Sequence, residues 1–236
     1  MAQSILTETI SAALIRVDTP TICNAIEWVA GKRGFADFTR ATMVASDPGA
    51  PPMLGFAHTA QIAAAEPPDA PPAEVKARRL AYFKAMTTGP QPAIAVIEDL
   101  DFPDCVGAWW GEVHSNVHQA LGVRGAVTNG VVRDLGDLAP GFPILAGSVG
   151  PSHAHVHLRR IGGPVTVMGL EIAEGDLIHA DRHGAVVIPP ESLDALPAAI
   201  AALEASEALI LGPAREPDFD LEKLRAAWDA FEASRI

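Results

Sequence analysis

The chain has 236 residues, 49% hydrophobic, 19% charged and 6% aromatic, and its 17 Lys and Arg against 29 Asp and Glu give a formal net charge of −12. This content excludes intrinsic disorder, and the 20 Gly and 20 Pro lack the period of a collagen or low-complexity chain. An acidic surface repels phosphate backbones, so nucleic acid is not expected as a partner, and the absence of an 18-residue apolar run argues against a membrane span.

The opening Met1-Ala2-Gln3-Ser4 lacks the basic and apolar regions of a secretory leader. Cys23 and Cys105 are too few for a disulfide framework or a Cys-rich zinc site, so two reduced thiols in a cytoplasmic protein are expected. The N-terminal third begins helically. Thr19-Pro20 reads as a cap with Pro at the first helical position, and Ile22, Ile26 and Val29 keep helical spacing over 21–30. Residues 53–64 (MLGFAHTAQIAA) alternate weakly and predict a strand. The Pro-rich stretch 67–72 reads as a stiff surface loop rather than an interdomain linker. A helix follows over 73–86, with Val75, Arg79, Tyr82 and Met86 along one stripe. The continuous apolar run 93–97 (AIAVI) suits a buried strand. Val113, Val117 and Leu121 give 111–121 a helical period, and 125–128 is a short strand ended by Asn129-Gly130. From 144 to 188, short apolar pieces punctuated by Gly and Pro predict several strands. Leu196, Ile200 and Leu203 mark a helix in which Pro197 must take the first turn or break it, and Leu221, Leu224, Trp228 and Phe231 mark the last. The pattern is α/β with a mixed sheet and flanking helices, read as one domain over 1–236; strand order does not follow from it.

The chemistry-bearing stretch is 110–137, WGEVHSNVHQALGVRGAVTNGVVRDLGD. Gly111 and Glu112 open a helix whose free N–H groups favour a bound carboxylate, and Gly111 allows close approach. Arg133 can grip a planar anion through two parallel hydrogen bonds. Asp134 beside it can take a hard cation, with Asp137 one helical turn on. Taken alone, an adjacent Arg-Asp pair usually means a solvated surface pair.

The spacing of Glu112, Arg133-Asp134 and Asp137 resembles the signature of the RraA-like proteins and their relatives, the 4-hydroxy-4-methyl-2-oxoglutarate / 4-carboxy-4-hydroxy-2-oxoadipate aldolases. TPTICNAIE, GFAHTAQI, WGEVHSNVHQALG, GAVTNGVVRD and GDLIHADRHGAVVIP are similar to family blocks in the family's order, across most of residues 15–190. The resemblance implies a compact, swivelling-type β/β/α domain, here with N- and C-terminal helical extensions. It implies a homotrimer or dimer of trimers with sites between subunits, and a divalent Mg2+ or Mn2+. It also implies a lyase that cleaves a 4-hydroxy-2-oxo acid to pyruvate through a metal-stabilised enolate, with oxaloacetate decarboxylation as a side activity. On that resemblance, backbone N–H groups of Gly111, Glu112, Val113 and His114 would hold the substrate carboxylate and Arg133 its oxygens. Asp134 would bind the metal, while Glu112 and Asp137 would hold metal-bound waters. Asn24 and Asn129 stand where Asp is common in relatives.

Two other readings stand beside this one. His153, His155 and His157 alternate in PSHAHVHLRR, and His179 and His183 form a second cluster, which together suggest a His-bound transition-metal enzyme. Side chains two apart on a strand face are about 6–7 Å apart, which makes a three-His ligand set hard to close. The other is a non-catalytic regulator of ribonuclease E-type RNA degradation, since the family includes such proteins. Walker, GxGxxG, HExxH and GxSxG motifs are missing, so nucleotide, zinc-protease and α/β-hydrolase chemistry has no support.

Overall fold

The computed structural model describes residues 6–234, so the stretch read for a leader, residues 1–4, lies outside the described residues. In chain order it runs α1 (Glu8–Ile15), α2 (Thr19–Ala30), β1 (Val44–Ala45), β2 (Met53–Ala63), α3 (Pro72–Met86), β3 (Ala93–Asp99), β4 (Ala108–Trp110), α4 (Glu112–Ala120), β5 (Val123–Thr128), β6 (Val131–Val132), β7 (Ile144–Ala146), β8 (Ser148–Val149), β9 (His157–Ile161), β10 (Val165–Val167), β11 (Leu170–Ile172), β12 (Leu177–Asp181), β13 (Gly184–Val187), α5 (Leu196–Ala214) and α6 (Leu221–Ser234). The chain divides into two compact units.

The unit formed by Ile15–Thr19 and Ala36–Ile188 holds every described strand together with α3 and α4. Its main sheet is mixed, in the order β1-β7-β5-β3-β2-β12-β13, with β9 also paired to β2. The centre is parallel, β2 to β3 to β5 to β7, and the edges are antiparallel. Parallel strands need covered faces, and β3 shows how the sequence meets this. Ala93, Ala95 and Ile97 enter one core cluster with Tyr82, Met86, Trp109 and Trp110. Ile94 and Val96 enter the other, with Val165, Val167, Leu170 and Ile172 of the β10–β11 hairpin. Apolar residues therefore fill both faces, and the alternation of a half-exposed strand disappears. A second sheet, β4-β6-β8, is parallel throughout; its strands are two or three residues long, too short to leave a periodic signal. β4 leads directly into α4, and β6 into Arg133-Asp134.

The second unit, formed among the described residues by 6–14, Pro20–Phe35 and 189–234, is helical. α5 and α6 pack together, with a Ser206 Oγ to Ser234 Oγ hydrogen bond of 2.7 Å. Pro197 sits in the first turn of α5, where its missing N–H has no partner to lose. By length and composition Leu193–Ala214 is apolar enough to cross a membrane. A search for uninterrupted apolar runs passes over it because Glu204 and Glu207 interrupt the run.

The alternating histidines do not share one strand. Only His157 begins β9; His153 to Val156 form a turn, closed by Val156 N–H to His153 O at 3.0 Å, with Ala154 at φ +41°.

Candidate functional site

Gly111 is the N-cap of α4, and with no side chain it offers no cap of its own. The cap comes from a distance: Glu112 N–H donates to Asp134 Oδ2 at 3.1 Å. Asp134 reaches back because its backbone is left-handed, φ +54°, a conformation that costs a non-glycine residue of order 1–3 kcal/mol and that Asp tolerates better than most. Arg133 N–H donates to Trp110 O at 2.9 Å, so the turn is tied to β4, and Arg133 Nε lies 3.4 Å from Asp134 Oδ2. A Cβ on residue 111 would stand 2.5 Å from that Oδ2 and 3.1 Å from Arg133 Cγ. Gly111 therefore makes room for the carboxylate and the guanidinium together.

These groups line a cavity of about 120 Å³. Gly111, Val113, His114, Arg133 and Asp134, all predicted site residues, meet there. Arg79 of α3 and His153 join them. In the sequence Arg79 shows only as a charge within an otherwise apolar helical stripe, and His153 only as a neighbour of His155 and His157. Trp109 also lines the cavity; Trp110, like it buried, does not. Glu112 contributes its N–H to Asp134 and its side chain is exposed; Asp137 caps the turn, its N–H donating to Asp134 O at 2.9 Å, and its side chain is also exposed. Neither carboxylate lines the cavity. One of the four N–H groups expected to hold substrate, that of Glu112, is thus engaged by Asp134. Those of Val113 and His114 lie in the first turn, where a helix has no acceptor for them.

Behind this wall is an aromatic cluster. Tyr82 Oη lies 2.6 Å from His118 Nε2, and His118 Nδ1 lies 2.6 Å from His114 O. A carbonyl only accepts, so Nδ1 carries the proton and the Tyr82 hydroxyl donates to Nε2. Burial pushes the Tyr82 hydroxyl up and holds His118 down at about 4. His114 packs edge-to-face on Trp109, ring centroids 4.2 Å apart, and burial, then His118 and the Arg79 and Arg133 guanidinia, hold it down at about 3. Both imidazoles are therefore neutral in ordinary buffers.

Among the described residues, no cluster of three or more His, Cys, Asp or Glu could hold a metal ion. The predicted histidine cluster separates: His153 Nδ1 bonds Ala154 O (2.7 Å), His157 Nδ1 bonds His155 O (2.8 Å), His179 Nδ1 bonds Thr19 Oγ1 (3.0 Å) and His183 pairs with Asp181 (3.1 Å). A transition-metal cage is not built here. A hydrated Mg2+ or Mn2+ asks for less, since one carboxylate with waters and substrate oxygens can suffice. Asp134 fits this need: Oδ2 is cradled by Gly111 and Glu112, and its side chain remains 33% exposed.

The two Asn positions have separate explanations. Asn129 joins β5 to β3 from both ends of its amide, Oδ1 accepting from Asp99 N–H (2.6 Å) and Nδ2 donating to Asp99 O (3.0 Å). An Asp could not supply the second bond. Asn24 lines a separate cleft of about 650 Å³ in the helical unit, with Trp28, Lys32 and Arg33. That cleft is larger, but it holds none of the motif residues.

Residues 19–187 match the family described as RraA-like, Aldolase/RraA. A Halalkalibacterium halodurans protein named "Putative 4-hydroxy-4-methyl-2-oxoglutarate aldolase" is 30% identical over 139 residues, 58% of this chain and 60% of that one. An uncharacterised Methanocaldococcus jannaschii protein is 39% identical over 88 residues, 36% of this chain and 42% of that one. The chain thus spans about two fifths to three fifths of these relatives' lengths. Among solved structures, an uncharacterised Pseudomonas syringae pv. tomato protein superposes with TM-score 0.71 at 21% identity, over 96% of this chain and 97% of that one. Streptomyces coelicolor RraAS2, described as an unusual member of the RNase ES inhibitor RraA family, superposes with TM-score 0.66 at 22% identity, over 85% and 96%. These likenesses establish the mixed α/β fold.

Proposed function

The chain belongs to the RraA-like family, which includes both metal-dependent aldolases and RraA regulators, and from that premise we propose that it is a lyase releasing pyruvate from a 4-hydroxy-2-oxo acid. One observation carries this reading: Asp134 is held in a left-handed turn with its carboxylate tied to the start of α4 and Arg133 alongside, all facing one cavity. A strained aspartate that lines a cavity with an arginine beside it is more than a solvated surface pair.

In the proposed reaction the C3–C4 bond breaks. Its electron pair passes to the pyruvate fragment as an enolate, the 4-hydroxyl loses its proton as C4 becomes a carbonyl, and the enolate takes a proton at C3. The chain's own groups match the charges this creates. The N–H groups of Val113 and His114, at the positive end of α4, bind the substrate carboxylate. Arg133 sets a fixed positive charge beside the oxygen on which negative charge grows. Asp134 would hold Mg2+ or Mn2+, which when bound supplies the Lewis-acid polarisation of the 2-oxo group. Trp109 and Val156 supply apolar lining beside these groups. A homotrimer or dimer of trimers in the cytoplasm belongs to the same proposal, as does oxaloacetate decarboxylation, which passes through the same enolate.

Pyruvate release from 4-hydroxy-2-oxo acids and oxaloacetate, with Mg2+ and after EDTA, tests it. Asp134→Asn keeps the shape and its tolerance of the left-handed backbone but removes the charge; Arg133→Ala removes the guanidinium. Each is expected to lower turnover by about a hundredfold or more. Undiminished release by either variant would remove that residue from the mechanism, and release insensitive to EDTA would remove the metal.

A further inference from the structure

His114 lines the cavity, yet its Nδ1 is enclosed and has no hydrogen-bond partner. As packing alone this is a poor choice. The ring sits among Phe83 (centroids 5.8 Å), Trp109 (4.2 Å) and His118 (5.7 Å), where Leu or Phe would fill space without a buried unpaired nitrogen. Such a defect costs about 1–3 kcal/mol. The tautomer follows from the same fact. A buried N–H with no acceptor is the rarer fault, so Nδ1 keeps its lone pair and the proton sits on Nε2. With Nδ1 enclosed, Nε2 is the nitrogen left for the cavity.

We propose that His114 donates a hydrogen bond through Nε2–H to an oxygen of the 2-oxo acid bound between Arg133 and Asp134. This rests on the lyase reading above and adds a side-chain donor to a position whose backbone N–H alone the family pattern uses. The surroundings favour a neutral donor. Burial first, then His118 from α4, Arg79 from α3 and Arg133 from the turn after β6, disfavour the charged imidazolium, while Asp134 and His153 complete the polar lining. The neutral imidazole of His114 offers Nε2–H as a donor without carrying a charge of its own.

The test compares wild type, His114→Leu and His114→Gln for pyruvate release with Mg2+ between pH 5.5 and 9. It also follows the imidazole 15N–1H signals of wild type as oxalate, a planar analogue of the pyruvate enolate, is added. His114→Leu is expected to lose about tenfold to a hundredfold in kcat/KM, and His114→Gln, which restores an N–H, to recover most of it. The Nε2–H signal of His114 is expected to shift and to exchange more slowly with oxalate bound. Full activity in His114→Leu, or an Nε2–H signal that oxalate leaves unmoved, would overturn the assignment; the second measurement needs no variant to fold. A wild type that neither releases pyruvate nor binds oxalate would bring down the lyase reading itself, and this donor with it.

Discussion

Gly111 shows how one absent side chain organises the site. Its φ of −173° is open to any residue, so substitution there strains no backbone. What an added methyl meets is Asp134 Oδ2 and Arg133. Gly111→Ala is therefore expected to move the two groups that matter while leaving the fold intact. Pyruvate release should fall by about tenfold to a hundredfold, because sub-ångström to 1 Å misplacements of reacting groups carry penalties of that order. The thermal midpoint, measured in parallel, should stay close to wild type. A large drop in the midpoint would instead mark Gly111 as a packing residue. Asp134 is legible in the sequence as a candidate, but its left-handed backbone is not, since Asp takes both conformations and only the cap on Glu112 selects one.

At the scale of elements, α3 and α4 are joined by the Tyr82–His118 bond, and His118 in turn holds the carbonyl of His114. The helical stripe placed Tyr82 inward correctly; that its hydroxyl needs a partner from α4 depends on how the helices meet. Tyr82→Phe leaves His118 Nε2 buried without a donor and is expected to lower unfolding stability by about 1–3 kcal/mol in urea titration. His118→Phe combined with Tyr82→Phe should cost less than the two single losses added, because neither partner is then left unpaired. Strict additivity would argue against the bond. The element-level errors have a common cause. β4, β6 and β8 span two or three residues, so no period develops. The alternating histidines matched a strand, but Ala154 takes a left-handed turn that alternation cannot reveal.

Over the whole molecule the buried imidazoles make the fold acid-sensitive. His118 and His114 are held near 4 and 3, chiefly by burial, against about 6.5 in an unfolded chain. Below about pH 6.5 the unfolded state therefore binds more protons than the folded one, and stability falls as pH drops toward 4 and 3. Asp181 acts in the same direction: burial raises it, but N–H groups of Thr19 and His183 outweigh this and hold it low, so its contribution is lost as pH falls through the carboxylate range. Urea midpoints are expected to be level above about pH 7 and to decline steadily below it. A midpoint independent of pH between 7 and 4 would contradict the neutral, buried state of these histidines.

By itself the sequence determined the elements with a clear period or an uninterrupted apolar run, such as AIAVI and the helix bearing Tyr82, and the order of motif blocks that marks the family. These are local properties: side-chain direction repeats every 3.6 residues in a helix and every two in a strand, so neighbours in sequence report their own burial. Only the tertiary structure decided that Asp134 caps a helix 22 residues before it, that Arg79 and His153 reach the same cavity, and that the side chains of Glu112 and Asp137 do not line it. Convergence of that kind depends on where packed elements cross and how the turns between them bend, and no spacing within one element contains that information.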